Sequence, residues 1–174
     1  GQGKLIGRGA TGWVDKLIGG WQLNSIFNWQ GGFPITPRLG FNQTGNGDGR
    51  VPDFPDRNPN FTGDVILGVD EFKKTGRYFD LDAFSLPTLG VFGTSSRGSF
   101  RGPGLVNMDL SLFKRIPLRE RWNLQIRAEV FNILNHANFV TPVMTVFDDD
   151  GPSGSAGIID STVTPGFGRQ IQFA

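Results

Sequence analysis

Few residues in this chain could do chemistry. His136 is its only histidine, and there is no cysteine. One imidazole without thiolates cannot assemble a zinc or copper ligand set, so His136 reads as a loop or interface residue. A serine nucleophile paired with His136 would call for a G-x-S-x-G turn. No such string occurs, and Gly98-Ser99-Phe100 lacks the pattern. Asp80 and Asp82 in FDLD read as loop-shaping carboxylates rather than an acid–base pair. No enzymatic activity is expected.

Two carboxylate clusters could take calcium, the one cofactor the residues allow. Asn46, Asp48 and Asp53 offer oxygen ligands around the Asn46-Gly47-Asp48-Gly49 turn, and Asp148-Asp149-Asp150-Gly151 is the second cluster. Calcium takes roughly six to eight oxygens, and neither stretch has the twelve-residue loop spacing ending in a bidentate Glu. A solvated acidic turn is the plainer reading of both. Phe54, Tyr78 and Phe79 are aromatic candidates for a ligand surface, suited to stacking on a carbohydrate.

The elements that would carry these residues are strands. Trp21, Leu23, Ser25, Phe27 and Trp29 alternate with Gln22, Asn24, Asn28 and Gln30; Ile26 breaks the rule. Trp122, Leu124, Ile126, Ala128 and Val130 alternate with Asn123, Gln125, Arg127 and Glu129. A period of two puts alternate side chains on opposite faces. The pattern predicts strands over about 21–35, 107–118, 122–139 and 169–174. Thr11 would cap a short helical turn over Trp13–Ile18, closed by Gly19-Gly20. Arg119, Glu120 and Arg121 make a tight turn. Residues 38–104 and 140–168 are long connections rich in Gly, Pro, Asn and Asp, with short strands expected inside the first, around Val65–Val69.

The chain has 174 residues and a net charge of +1, which gives no electrostatic case for nucleic acid. Its apolar runs are too short for a transmembrane helix. Long two-faced strands joined alternately by long loops and a tight turn predict an all-β antiparallel meander with its long loops at one end, part of a transmembrane β-barrel. Two other readings stay open. One is a self-associating β protein that pairs through its sheet edges into an oligomer or fibre. The other is a soluble, carbohydrate-binding β-sandwich with aromatics exposed in residues 54–100.

Four strings carry a family resemblance: GGWQLNSIFNWQGGFPIT (Gly19–Thr36), RYFDLDAFSLPTLGVFGTSSRGSFRGPGLVNMDLSLFKRIPL (Arg77–Leu118), WNLQIRAEVFNILNHANF (Trp122–Phe139) and FGRQIQFA (Phe167–Ala174). In this order they resemble the C-terminal part of TonB-dependent outer-membrane receptors, in the group with an N-terminal carboxypeptidase-regulatory-like domain. The resemblance implies a place in the bacterial outer membrane and uptake of a nutrient such as an oligosaccharide or a chelated metal. It also implies as partners the rest of the barrel and its plug, membrane lipid, and TonB reached through that plug. Barrels of this class have about 22 strands. The chain supplies about four of them, and no plug, so it reads as a piece of a longer protein that would not transport alone.

Overall fold

The computed structural model describes residues 12–47, 52–119, 122–163 and 168–174. In chain order the elements are α1 (Trp13–Ile18), β1 (Trp21–Gln30), β2 (Pro34–Ile35), β3 (Arg38–Leu39), β4 (Asp56–Arg57), α2 (Val69–Thr75) and β5 (Phe84–Ser85). There follow β6 (Phe100–Arg101), β7 (Leu105–Arg119), β8 (Trp122–Phe131), β9 (Thr145–Asp148), β10 (Gly151–Pro152) and β11 (Gln170–Phe173). They fall into two compact units. The wall unit takes the described parts of 1–29, 106–137 and 166–174; the loop unit takes those of 30–105 and 138–165.

The wall is one four-stranded sheet in the order β1-β7-β8-β11. β7 and β8 pair antiparallel, with Leu110 opposite Val130, Leu112 opposite Ala128 and Ile116 opposite Leu124. β11 pairs antiparallel with β8, putting Ile171 beside Val130 and Gln172 beside Glu129. The alternation in each strand is thus in register across the sheet. One face is apolar but for Lys114: Leu110, Leu112, Ile116, Leu124, Ile126, Val130, Ile171 and Phe173. The other carries Ser111, Arg115, Asn123, Gln125, Arg127, Glu129, Gln170 and Gln172.

Two strand ends differ from the alternation-based expectation. The strand expected over 21–35 is interrupted after Gln30. Gly31 and Gly32 break it, and Pro34–Ile35 joins a different sheet by pairing with β6. A Cβ on Gly32 would collide with the Gly102 carbonyl, so a side chain there would drive the two segments apart. The strand expected over 122–139 ends at Phe131, because Asn132 takes a left-handed backbone with φ 50°. Asparagine tolerates that region better than most residues. The other two strands of the expected set run Leu105–Arg119 and Gln170–Phe173. The helical turn lies at Trp13–Ile18; Thr11, Glu120 and Arg121 lie outside the described residues.

The loop unit holds the hydrophobic core. Ile35, Phe79, Ala83, Phe84, Phe100, Val146 and Ala156 form one buried cluster. Phe79 meets Phe84 and Phe100 edge-on, with ring centroids 5.9 and 5.4 Å apart, a favoured aromatic geometry. Short seams stitch the connections around it. β2 pairs with β6, β4 with β5, and β9 with both β10 and, in parallel, β3. The expected strand near Val65–Val69 is a single bridge between Ile66 and Phe79, followed by helix α2.

Candidate functional site

Of the calcium candidates, Asp53 is already engaged. Asp53 is buried, and both its carboxylate oxygens accept from Thr44: the backbone N–H at 2.7 Å and the hydroxyl at 3.1 Å. Its charge is thereby spent on holding the 44–53 loop. Asn46 is exposed, and Asp48 lies outside the described residues. In the second cluster, Asp149 and Asp150 are the two residues of the β9–β10 hairpin turn, since Asp148 pairs with Gly151. Among the described residues no three His, Asp or Glu side chains converge as metal ligands.

The aromatic candidates divide. Phe79 is fully buried, so it is core and not a ligand surface, a correction to its place among the candidates. The core that buries it draws Ile35, Phe100, Val146 and Ala156 from distant parts of the chain, which local pattern does not reveal. Tyr78 is half-buried; its hydroxyl donates to the Arg101 carbonyl at 3.0 Å, and burial raises its pKa above the ordinary 10.0. Phe54 is half-exposed, with the Arg97 guanidinium 5.8 Å from its ring centroid. Asp80 caps the turn at 81–83 by accepting the Asp82 N–H at 3.0 Å, the loop-shaping role read from the sequence. The unit also encloses a cavity of about 160 Å³ against Phe33, Ile35, Pro103, Leu105, Phe139 and Val163. Its lining suits a small apolar group.

His136 belongs to a different structure, the corner that ends β8. Asn132 Oδ1 accepts the His136 N–H and Asn132 Nδ2 donates to the His136 carbonyl, both at 3.1 Å. The imidazole is exposed. Asn135, also left-handed at φ 52°, accepts the Arg169 N–H through its side chain at 3.1 Å, tying the corner to the approach of β11. The asparagines of NILNH are therefore turn-formers.

The polar face of the wall carries a ladder centred on Glu129. Its carboxylate accepts from Gln172 at 2.7 Å and Ser111 at 3.4 Å, and stands 3.8 Å from Arg127. Arg127 also lies over the Phe113 ring at 4.9 Å. The opposite face is apolar and uncovered: Leu23, Phe27 and Trp29 are exposed, as are Trp122, Leu124, Ile126, Ile171 and Phe173. A sheet with one hydrogen-bonded polar face and one bare apolar face matches a barrel wall, water within and lipid without.

A model of the outer membrane beta barrel domain family matches residues 1–172 of the chain. The chain belongs to that family. Comparison with curated proteins and with solved structures gave no match. The barrel domain accounts for the uncovered face, which a soluble sandwich would bury under a second sheet. No described helix is long and apolar enough to cross a membrane; in this family the strands do so. The wall sheet itself is open, one arc of a barrel, and the family places it in the bacterial outer membrane.

Proposed function

We propose that this barrel domain is the C-terminal wall and outer loops of a TonB-dependent receptor that takes up a nutrient such as an oligosaccharide or a chelated metal. The observation that carries the reading is the division of labour between the units. The wall has an uncovered apolar face and a hydrogen-bonded polar one, while the long connections fold around their own phenylalanine core. Loops with a core of their own can present a fixed surface to a ligand, and the ordered set of motifs from Gly19 to Ala174 supports the same assignment. In this reading the chain catalyses nothing. The rest of the barrel closes the sheet edges, a plug fills the lumen, and TonB acts through that plug.

The test uses the full-length protein that carries this chain, expressed in a bacterium with and without a working TonB system. Radiolabelled oligosaccharides and ferric chelates are offered and uptake is counted. Uptake of at least one solute that requires both the receptor and TonB is expected. Uptake that is unchanged without TonB would sink the proposal.

A further inference from the structure

Lys114 stands on the apolar face of the wall. On β7 it shares that face with Leu110, Leu112 and Ile116, and it pairs with Ile126 of β8. A charge there would face hydrocarbon, where charged side chains are costly and are found paired or carried to the interface. Yet Lys114 is the one buried side chain among the described wall residues, only 5% exposed.

What buries it is the end of α1. The Lys114 ammonium donates to the Leu17 carbonyl at 2.9 Å and also to the Gly19 carbonyl. It lies 5.0 Å from the Trp21 ring centroid, and Trp21 Nε1 donates to the same Leu17 carbonyl at 3.0 Å. Carbonyls at a helix C-terminus have no partner within the helix, so these are natural acceptors for an ammonium. The Arg115 N–H donates to the Gly20 carbonyl at 2.9 Å. Segment 17–20 is thus tied to β7 by side chain and by backbone. Gly20 is fitted to this approach: its φ is +71°, and a Cβ would meet the Arg115 carbonyl.

The secured turn, WVDKLI, has an apolar and uncovered side. Trp13 and Leu17 are 75% and 62% exposed, and residues four apart share one side of a helix. Trp21 and Trp122 are exposed on the same sheet face.

We propose that α1 lies as a collar in the headgroup–acyl boundary of the membrane, beside the aromatic girdle that Trp21 and Trp122 supply in such a barrel, and that Lys114 is the positioning residue that holds α1 there. The occupant of this surface is lipid, because Lys114, which stands on the apolar face of the wall between Leu112 and Ile116, holds α1 on that side. Tryptophan suits that boundary, having an apolar body and a polar N–H, and helices with one apolar and one charged side lie in it as well. The inference rests on the wall spanning a membrane, and its test separates the two.

The experiment uses the full-length barrel protein in dioleoylphosphatidylcholine vesicles, with single nitroxide labels on cysteines introduced at one site at a time. Leu124→Cys and Gln125→Cys report the lipid and lumen faces; Trp13→Cys and Leu17→Cys report the collar. Collision with oxygen and with a water-soluble nickel chelate is measured by electron paramagnetic resonance. The collar labels are expected to favour oxygen over nickel several-fold, as the label at 124 does. Collar labels that behave like the label at 125, while 124 remains lipidic, overturn the collar and leave the wall intact. If 124 also behaves like 125, both fall. In a Lys114→Met background the label at 17 is expected to sharpen and lose its oxygen preference, with Lys114→Arg restoring both. An unchanged spectrum in folded Lys114→Met protein overturns the role of Lys114.

Discussion

The Asp109 carboxylate on β7 accepts the backbone N–H of Asn132, at the corner where β8 ends, at 2.9 Å. Asn107 Nδ2 donates to the same oxygen at 3.1 Å, and the Ile133 N–H reaches the Met108 carbonyl at 2.8 Å. The left-handed backbone of Asn132 is thereby clamped to the neighbouring strand. Replacing Asp109 by Ala strands a partly buried N–H, which costs about 1–3 kcal/mol. Asp109→Asn keeps an acceptor and is expected to lose less. Urea unfolding of the full-length barrel in detergent, followed by gel mobility, checks the order.

The corner also shows where sequence reading runs out. Alternation made the β7–β8 wall and its two faces legible, because lipid and water select opposite side chains at every second position. It carried β8 on to Phe139, since ILNHANF still holds apolar residues at intervals. The stop comes from backbone geometry at Asn132 and from a carboxylate 23 residues away, and periodicity encodes neither. Phe79 is hard to place for a related reason: most of its core partners, among them Ile35, Phe100, Val146 and Ala156, lie far along the chain. Lys114 stood in plain sight as the one charge on an apolar stripe.

The two faces of β8 make opposite demands on substitution. Leu124→Arg puts a cation on the lipid side and is expected to cost up to about 2–4 kcal/mol, least if the site lies near an interface. Gln125→Arg, one residue on, faces the polar side and is expected to be nearly neutral. The yield of folded, heat-modifiable protein in outer membranes reads both. Equal losses at the two positions would contradict the facing.

Phe79 supports the loop unit and not the wall. Phe79→Ala removes a fully buried ring and is expected to destabilise that unit by about 3–5 kcal/mol. Hydrogen exchange followed by mass spectrometry should show faster exchange within 30–105 and 138–165, with β7 and β8 still protected. Phe54→Ala, at a half-exposed position, is expected to leave exchange close to wild type.

Tyr78 makes the loop unit sensitive to alkali. Burial raises its pKa in the folded state, so the fold favours the protonated phenol, the form that donates to Arg101. The contribution is complete below the ordinary value of 10.0 and is lost as pH rises through the higher folded value. Limited proteolysis of the loops is therefore expected to quicken above that pH in wild type. Tyr78→Phe should show a smaller increase over the same range.

The parallel seam between β3 and β9 has a kinetic consequence. Arg38 and Thr145 meet there across 107 residues of chain, whereas Ser111 and Glu129, paired on the wall, are 18 apart. Closing the longer span costs about 1–2 kcal/mol more in chain entropy, and contacts so distant along the chain form slowly. The β7–β8 hairpin can zip by itself. The loop unit can close only after the segment beyond Thr145 has arrived, so its surface forms later than the β7–β8 hairpin.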